Sequence, residues 1–367
     1  LTYSGDAEYL EFARLSAFFR SFSYTWVFLR LEPYVASPDE LPIDGPYVPP
    51  FFLDDGSGGI ASPAAHYRVW RKSVVTHRFT FRPWERIRFS LMESSGIGGY
   101  EPDLRILNPF MILHNHFDFS LMTFAASAEV TVAPFAGFEL YGQWYMNDFL
   151  LPQEAAAGCT EPNAMAVLCG LQYQLPLRIA SSWQGESMIP VSVAFGGEFF
   201  YGDPYVYIRE SVLRSFTYRH RVITNYDESG GETLGRIVWQ DGYLGSPFGN
   251  DSIAWLAFAT LDFGAVGRVE AQVLQHYAGE LGPADILIPS QEATLERTPT
   301  GTVERITELA ARAQLSSDGL AGIGWDHLTI ETGVTGCLRW THNVNHNAGS
   351  DVFQGAMGVT VGAHWRN

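Results

Sequence analysis

Residues 119–149, FSLMTFAASAEVTVAPFAGFELYGQWYMNDF, decide the fold, because their side chains sort onto two faces. Met122, Phe124, Ala126, Ala128, Val130 and Val132 share one face, with Thr123, Ser127, Glu129 and Thr131 on the other, and a period of two is that of a strand. After Ala133-Pro134-Phe135-Ala136 the alternation resumes, with Phe138, Leu140, Trp144 and Met146 set against Glu139, Tyr141, Gln143, Tyr145 and Asn147. Two such strands joined by a tight turn form an antiparallel hairpin. Each arm runs roughly a dozen residues, whereas strands of soluble proteins run about 5 or 6. A tilted strand crosses a bilayer in about 9 to 11 residues, so these arms are long enough to span one.

Composition agrees. The chain has 367 residues, 46% hydrophobic and 14% aromatic, yet no apolar run long enough for a transmembrane helix. Its apolar residues are spread singly in alternation, as in the wall of a barrel. A formal charge of −17 argues against nucleic acid or anionic lipid as the main partner. The single lysine is Lys72. Cys159, Cys169 and Cys337 match no metal spacing and are too few for a disulfide framework; three thiols is the plain reading, with a Cys159 to Cys169 bridge as the alternative. No signal peptide precedes Leu1 in this sequence, so export is inferred from the barrel pattern.

The same alternation recurs along the chain. It marks residues 7–35, a hairpin around Pro83-Trp84-Glu85, strands at 164–178 and 188–202, a hairpin at Ile253 to Tyr277, and four strands from about residue 302 onward. Residues 205–250 read as less regular, with short strands near Tyr205 to Arg209, Phe216 to Val222 and Arg236 to Gln240. Tight turns alternate with long polar loops near 36–66, 95–118, 150–163 and 280–301. Transmembrane barrels are built this way, with long loops outside. We therefore expect an all-β chain, one domain over 1–367: an outer-membrane antiparallel β-barrel of about 16–18 strands. Because the 36–66 loop should be external, the first strand also starts outside, which suggests that N-terminal strands are missing from this sequence.

The first hairpin carries Arg78 and Arg82, and its return strand Arg86 and Arg88. Arginines on one face require that face to be wet, so with Glu129 and Glu139 they are expected to form a charge ladder lining the lumen. His114-Asn115-His116-Phe117-Asp118 could offer two imidazoles and a carboxylate to a metal, but nothing supplies a fourth ligand, and the solvated reading is preferred. His342 and His346 have zinc-like spacing only if helical, and their surroundings read as a strand entering a loop. Carboxylates near tryptophans (Glu93, Asp148, Asp241, Asp251) fit no rule that picks out a glycosidase pair. Nucleophile elbow, phosphate loop and dinucleotide fingerprint are all missing, and neither catalysis, a cofactor nor a metal is expected.

Several segments resemble the Wzi family of outer-membrane capsule assembly proteins. They are Arg88-Phe89-Ser90-Leu91-Met92-Glu93, then Leu107-Asn108-Pro109-Phe110 running to His114-Asn115, then Leu140-Tyr141-Gly142-Gln143-Trp144-Tyr145-Met146-Asn147-Asp148-Phe149, and Gly242-Tyr243-Leu244-Gly245-Ser246-Pro247-Phe248-Gly249-Asn250-Asp251. The resemblance implies a monomeric barrel of about 18 strands that binds exopolysaccharide at its outer face and helps hold a capsule. The partners expected are therefore outer-membrane lipid and a surface or envelope glycan. Glu93, Asn108, His114, Asn147, Asp148 and Asp251 are expected to shape the sugar-facing or plug region. The competing expectations are a porin, in which the charge ladder sets a transverse field, and a soluble secreted all-β carbohydrate-active protein.

Overall fold

The computed structural model describes residues 9–36, 68–100, 102, 104–111, 122–148, 162, 164–181, 187–228, 232–287, 297–316 and 328–365. Among them every regular element longer than a turn of 3-10 helix is a strand. In chain order these are β1 (Tyr9–Phe19), β2 (Phe22–Leu31), β3 (Tyr34–Ala36), β4 (Arg68–Trp70), β5 (Lys72–Trp84), β6 (Ile87–Gly98), β7 (Met122–Val132), β8 (Phe138–Asp148) and β9 (Ala164–Ser181). There follow β10 (Ser187–Gly202), β11 (Thr217–Glu228), β12 (Glu232–Tyr243), β13 (Ser252–Asp262), β14 (Gly267–Ala278), β15 (Glu304–Ser316), β16 (Leu328–His342) and β17 (Asp351–Trp365).

Thirteen of the strands form one antiparallel sheet in the order β1-β2-β5-β6-β7-β8-β9-β10-β13-β14-β15-β16-β17. The all-β antiparallel reading stands, and the strand count of the wall is corrected. β3 pairs with β4 and β11 with β12 as separate ribbons, and the sheet is open, with β1 and β17 at its edges. Residues 7–35 are two strands hinged at Arg20 and Ser21, and Tyr205 to Arg209 is a run of turns rather than a strand.

Short links at Arg20–Ser21, Glu85–Arg86, 133–137, 182–186 and 263–266 gather at one end of the sheet, and the connections 32–71, 99–121, 149–163, 203–251 and 279–303 at the other. The last two links, 317–327 and 343–350, are closer in length. The expected 95–118 loop begins at Gly99, because β6 continues through Gly98.

Alternation fixes what each face carries. The outward face presents Phe79, Leu91, Val130, Leu140, Trp144, Leu171, Phe195, Trp255, Val273, Leu309 and Val334, all exposed. The registers place Glu129 beside Gln143, Tyr141 beside Gly170 and Gly170 beside Glu198 on the opposite face. Soluble monomers rarely expose an apolar area beyond a few hundred Å². This face runs across the width of the sheet. Charged residues that the register turns outward (Glu11, Arg30, Glu93, Arg305, Asp351) all lie in the half of their strand next to the long connections.

Candidate functional site: a plugged polar interior

Residues 203–216 and 243–251 fold back against the inner face at the long-connection end. Val206, Tyr207, Phe216 and Leu244 are buried in one cluster with Leu31, Val74, Ala125, Tyr145, Ala166, Phe200 and Ala254, and Leu29, Leu168 and Leu274 pack against it. Gly98 supplies a further seat, since a Cβ there would lie 2.4 Å from the carbonyl oxygen of Leu213. One plug thus touches β2, β5, β6, β7, β8, β9, β10, β13 and β14. Nine neighbouring strands laid flat at about 4.8 Å spacing would stretch roughly 38 Å, so the sheet must curl around the plug to share one cluster.

Polar groups fasten the plug. The Asn147 side-chain oxygen accepts the Tyr207 backbone N–H at 3.1 Å, and Arg209 reaches the Asn147 carbonyl and, at 3.3 Å, the Thr123 hydroxyl. Lys72 is only 2% exposed and donates to the Val212 carbonyl at 2.7 Å. Arg219 and Asp241 pair at 2.7 Å at the base of the β11–β12 ribbon, and the guanidinium lies over the Tyr34 ring, 4.4 Å from its centroid. Asp251, fully buried, accepts from the Thr300 backbone N–H at 2.9 Å and from its hydroxyl, tying the 279–303 connection to β13. Burial holds the Tyr207 hydroxyl protonated, and burial also raises the carboxyl of Asp203, opposed by hydrogen bonds from Tyr201 and the Met165 backbone.

Towards the short turns the inner face is polar and charged. Arg78 pairs with Glu129, which also accepts from the Gln143 amide at 3.2 Å. The Tyr141 ring lies across Gly170, where a Cβ would meet it at 2.4 Å, and its hydroxyl donates to Glu198. Gln172 donates to Glu139 at 3.3 Å. Arg88 donates to the Thr131 hydroxyl at 3.1 Å, and Arg86, in the turn, to the Pro134 carbonyl at 2.6 Å. Arg82 is exposed beside the irregularity between Phe81 and Trp84. The expected ladder is thus a pair of inner rungs, Arg78 and Arg88, with Arg82 and Arg86 at the rim: the bulge and turn lift those two out of the strand alternation.

The six residues expected to share a glycan-facing region are not brought together. Asn147 and Asp251 are plug fasteners, 5% and 0% exposed. Glu93 lies on the outward face beside His77, where residues 100–111 cover it. Asn108 is exposed within that covering segment, its side-chain oxygen accepting the Phe110 N–H at 3.0 Å. His114 and the side chain of Asp148 lie outside the described residues. The covering segment also corrects the lipid-facing expectation for Met122, which is buried at 4% with Ile106, Trp26, Val75 and Ile97, while Phe124 is half-buried against them. Beneath the segment the Tyr24 hydroxyl lies 2.8 Å from Nδ1 of His77 and also contacts the Pro109 carbonyl. Cys169 and Cys337 are free thiols, and Cys159 lies outside the described residues. Among the described residues no three His, Cys, Asp or Glu side chains cluster as metal ligands.

The sequence reading missed the plug itself. Val206, Tyr207, Ile208, Val212 and Leu213 have no period of two, and the one signal available was an apolar patch inside a long connection.

Fold and site together define an all-β protein built on a curled antiparallel sheet, apolar outside, polar inside, with a segment of its own chain seated in the hollow. Comparison with solved structures finds Wzi, described as an outer membrane protein involved in group 1 capsule assembly in Escherichia coli and a carbohydrate-binding β-barrel, at 12% identity and a TM-score of 0.43, over 93% of this chain and 54% of that one. It also finds the ferric enterobactin receptor PfeA of Pseudomonas aeruginosa, at 10% identity and a TM-score of 0.28, over 96% of this chain and 56% of that one. The chain spans about half the length of both. No family model and no curated protein matches the sequence.

Proposed function

We propose that the protein is an outer-membrane β-barrel, monomeric and non-catalytic, that binds an envelope or surface polysaccharide. One observation carries the membrane reading: the outward face is apolar and exposed, with its charged residues confined to the strand halves near the long connections. Lipid is the solvent that suits such a face. The uncharged outward run of β9, from Val167 to Leu177, matches the about 9–11 residues that a tilted strand needs to cross the hydrocarbon.

Glycan binding is supported by the chemistry of the wet face. Tyr141, Gln143, Gln172, Glu129, Glu139 and Glu198 offer a ring, amides and carboxylates close together, the set that stacks on pyranose faces and takes sugar hydroxyls. Both signs of charge are present and paired, so the surface suits a neutral or weakly charged polymer better than a selective ion path. The plug argues against the porin reading, because it occupies the hollow that an open pore would need.

The test combines two measurements on the protein purified in detergent. Planar-bilayer conductance should be small, and purified capsular or exopolysaccharide should bind, with Tyr141→Ala weakening binding about tenfold, the scale of losing one stacking contact of about 1 to 1.5 kcal/mol. A large steady conductance with no glycan binding would reverse the assignment to a porin. Neither membrane partitioning nor conductance would remove the membrane reading itself.

A further inference from the structure

The two free edges of the sheet carry an inference that rests on the membrane reading. Neighbouring strands in the sheet are antiparallel throughout, and the sheet contains thirteen of them, an odd number. Its two edge strands therefore run the same way. Tyr9 of β1 lies opposite Leu31, where the chain enters the long 32–71 connection, and Asp351 of β17 lies opposite His342, across the 343–350 link. Both edge strands thus descend from the long-connection end to the short-turn end. An antiparallel ring cannot be completed by joining them to each other.

Neither edge suits exposure to lipid. Each carries a row of backbone N–H and C=O groups with no partner strand, and hydrocarbon has no water to satisfy them. Side-chain exposure marks the same gap. Phe353, Met357, Val359 and Val361 on β17 are 66–81% exposed and Phe18 on β1 is 74%, against 42% for Leu171 and 46% for Val273 on strands with two neighbours.

We propose that the barrel is closed by an odd number of further strands, in the simplest case one, supplied by a segment of the same polypeptide outside the seventeen strands above. That strand rises from the short-turn end to the long-connection end and pairs antiparallel with β1 and β17. Its outward side chains are apolar, continuing the surface of Leu15 and Val359. Its inward side chains lie beside Phe12 and Phe18, which the β1 register turns towards the hollow.

The experiment uses the full natural polypeptide in detergent and in lipid vesicles. Flotation with the vesicles is read first and separately, so that failure of the membrane reading is seen as such. Hydrogen exchange then compares β1 and β17 with β13 and β14. Closure predicts that the edge strands exchange within about tenfold of the central ones, because both of their ladders are filled. In a variant with Cys159, Cys169 and Cys337 replaced by Ser, Ser16→Cys is combined in turn with Gln354→Cys, Ala356→Cys, Gly358→Cys and Thr360→Cys. An intervening strand holds the Cα atoms of β1 and β17 about 10 Å apart, beyond the roughly 7 Å limit of a disulfide, so no bridge should form. Ser16→Cys with Thr25→Cys, directly opposite in the register, should bridge and serves as the control.

Fast exchange at both edges would overturn the proposal in favour of bare edges. A disulfide between β1 and β17 would overturn it in favour of a direct parallel seam. Protected edges in a particle of twice the chain mass would overturn it in favour of pairing between two copies.

Discussion

Replacing Asn147 by Ala should loosen the plug, and the chain carries its own reporter. Asn147 is 5% exposed, and its side-chain oxygen accepts the backbone N–H of Tyr207, itself 0% exposed. Alanine leaves that N–H buried without an acceptor, a penalty of about 1–3 kcal/mol. At about 1.4 kcal/mol per factor of ten, the population with the plug lifted rises roughly 5- to 150-fold. Lys72 is the single lysine, buried beneath the plug against Val212, so an amine-reactive label can reach it only when the plug lifts. When opening and closing are fast, labelling follows the open population, and the Lys72 adduct measured by mass spectrometry should appear faster by that same factor. Asn147→Asp keeps the acceptor beside the Arg209 guanidinium and should return most of the protection. If Asn147→Ala labels Lys72 at the wild-type rate, the Asn147 to Tyr207 bond does not hold the plug and the reasoning is wrong.

Three further outcomes follow from the two faces and the plug. Leu171→Arg on the outward face should lower unfolding stability in vesicles by about 2–4 kcal/mol, whereas Gln172→Arg one residue on, facing inward, should stay within about 0.5 kcal/mol; equal effects would remove the distinction between faces. Arg78→Met should cost about 1 kcal/mol in urea titration, since the half-exposed pair with Glu129 is partly screened, and Glu129→Gln in the same chain should recover most of it. Burial raises the Asp203 carboxyl above its unfolded value, so its contribution to stability is greatest in acid, below the unfolded value of about 3.9, and is lost as pH rises through the folded value. Wild type should therefore lose ground to Asp203→Asn between about pH 4 and 7 in urea midpoints, and a difference that is flat with pH would show that the carboxyl is not raised.

The wall was legible in the sequence and the interior was not, for a physical reason. A wall strand separates two media, so Val130 and Leu140 must alternate with Glu129 and Glu139, and that period survives in the letters. Plug residues such as Tyr207 and Leu213 are buried within turns, where no period forms. Polar residues mislead in a related way. Asn147 and Asp251 read as glycan-facing because a polar side chain near aromatics suggests a sugar site, yet their oxygens are taken up by backbone N–H groups of the plug and the 279–303 connection. Glu93 and Met122 show what a folded-back connection does. Residues 100–111 lie on the outward face and bury positions whose strand pattern alone assigns them to lipid. The Arg82 and Arg86 rungs fail because a strand irregularity and a turn break the alternation that the ladder presumes.

The central claim is that hydrocarbon bathes the outward side of the sheet while water reaches the inward side. Spin labels placed one at a time from Val167 to Leu177 along β9, in vesicles, would report it through collision with apolar oxygen and with a water-soluble nickel chelate. The account predicts alternation: oxygen dominates at Val167, Leu171, Leu175 and Leu177, and nickel at Gln172 and Gln174. Uniform accessibility along the strand, or nickel reaching Leu171 as readily as Gln172, would contradict it.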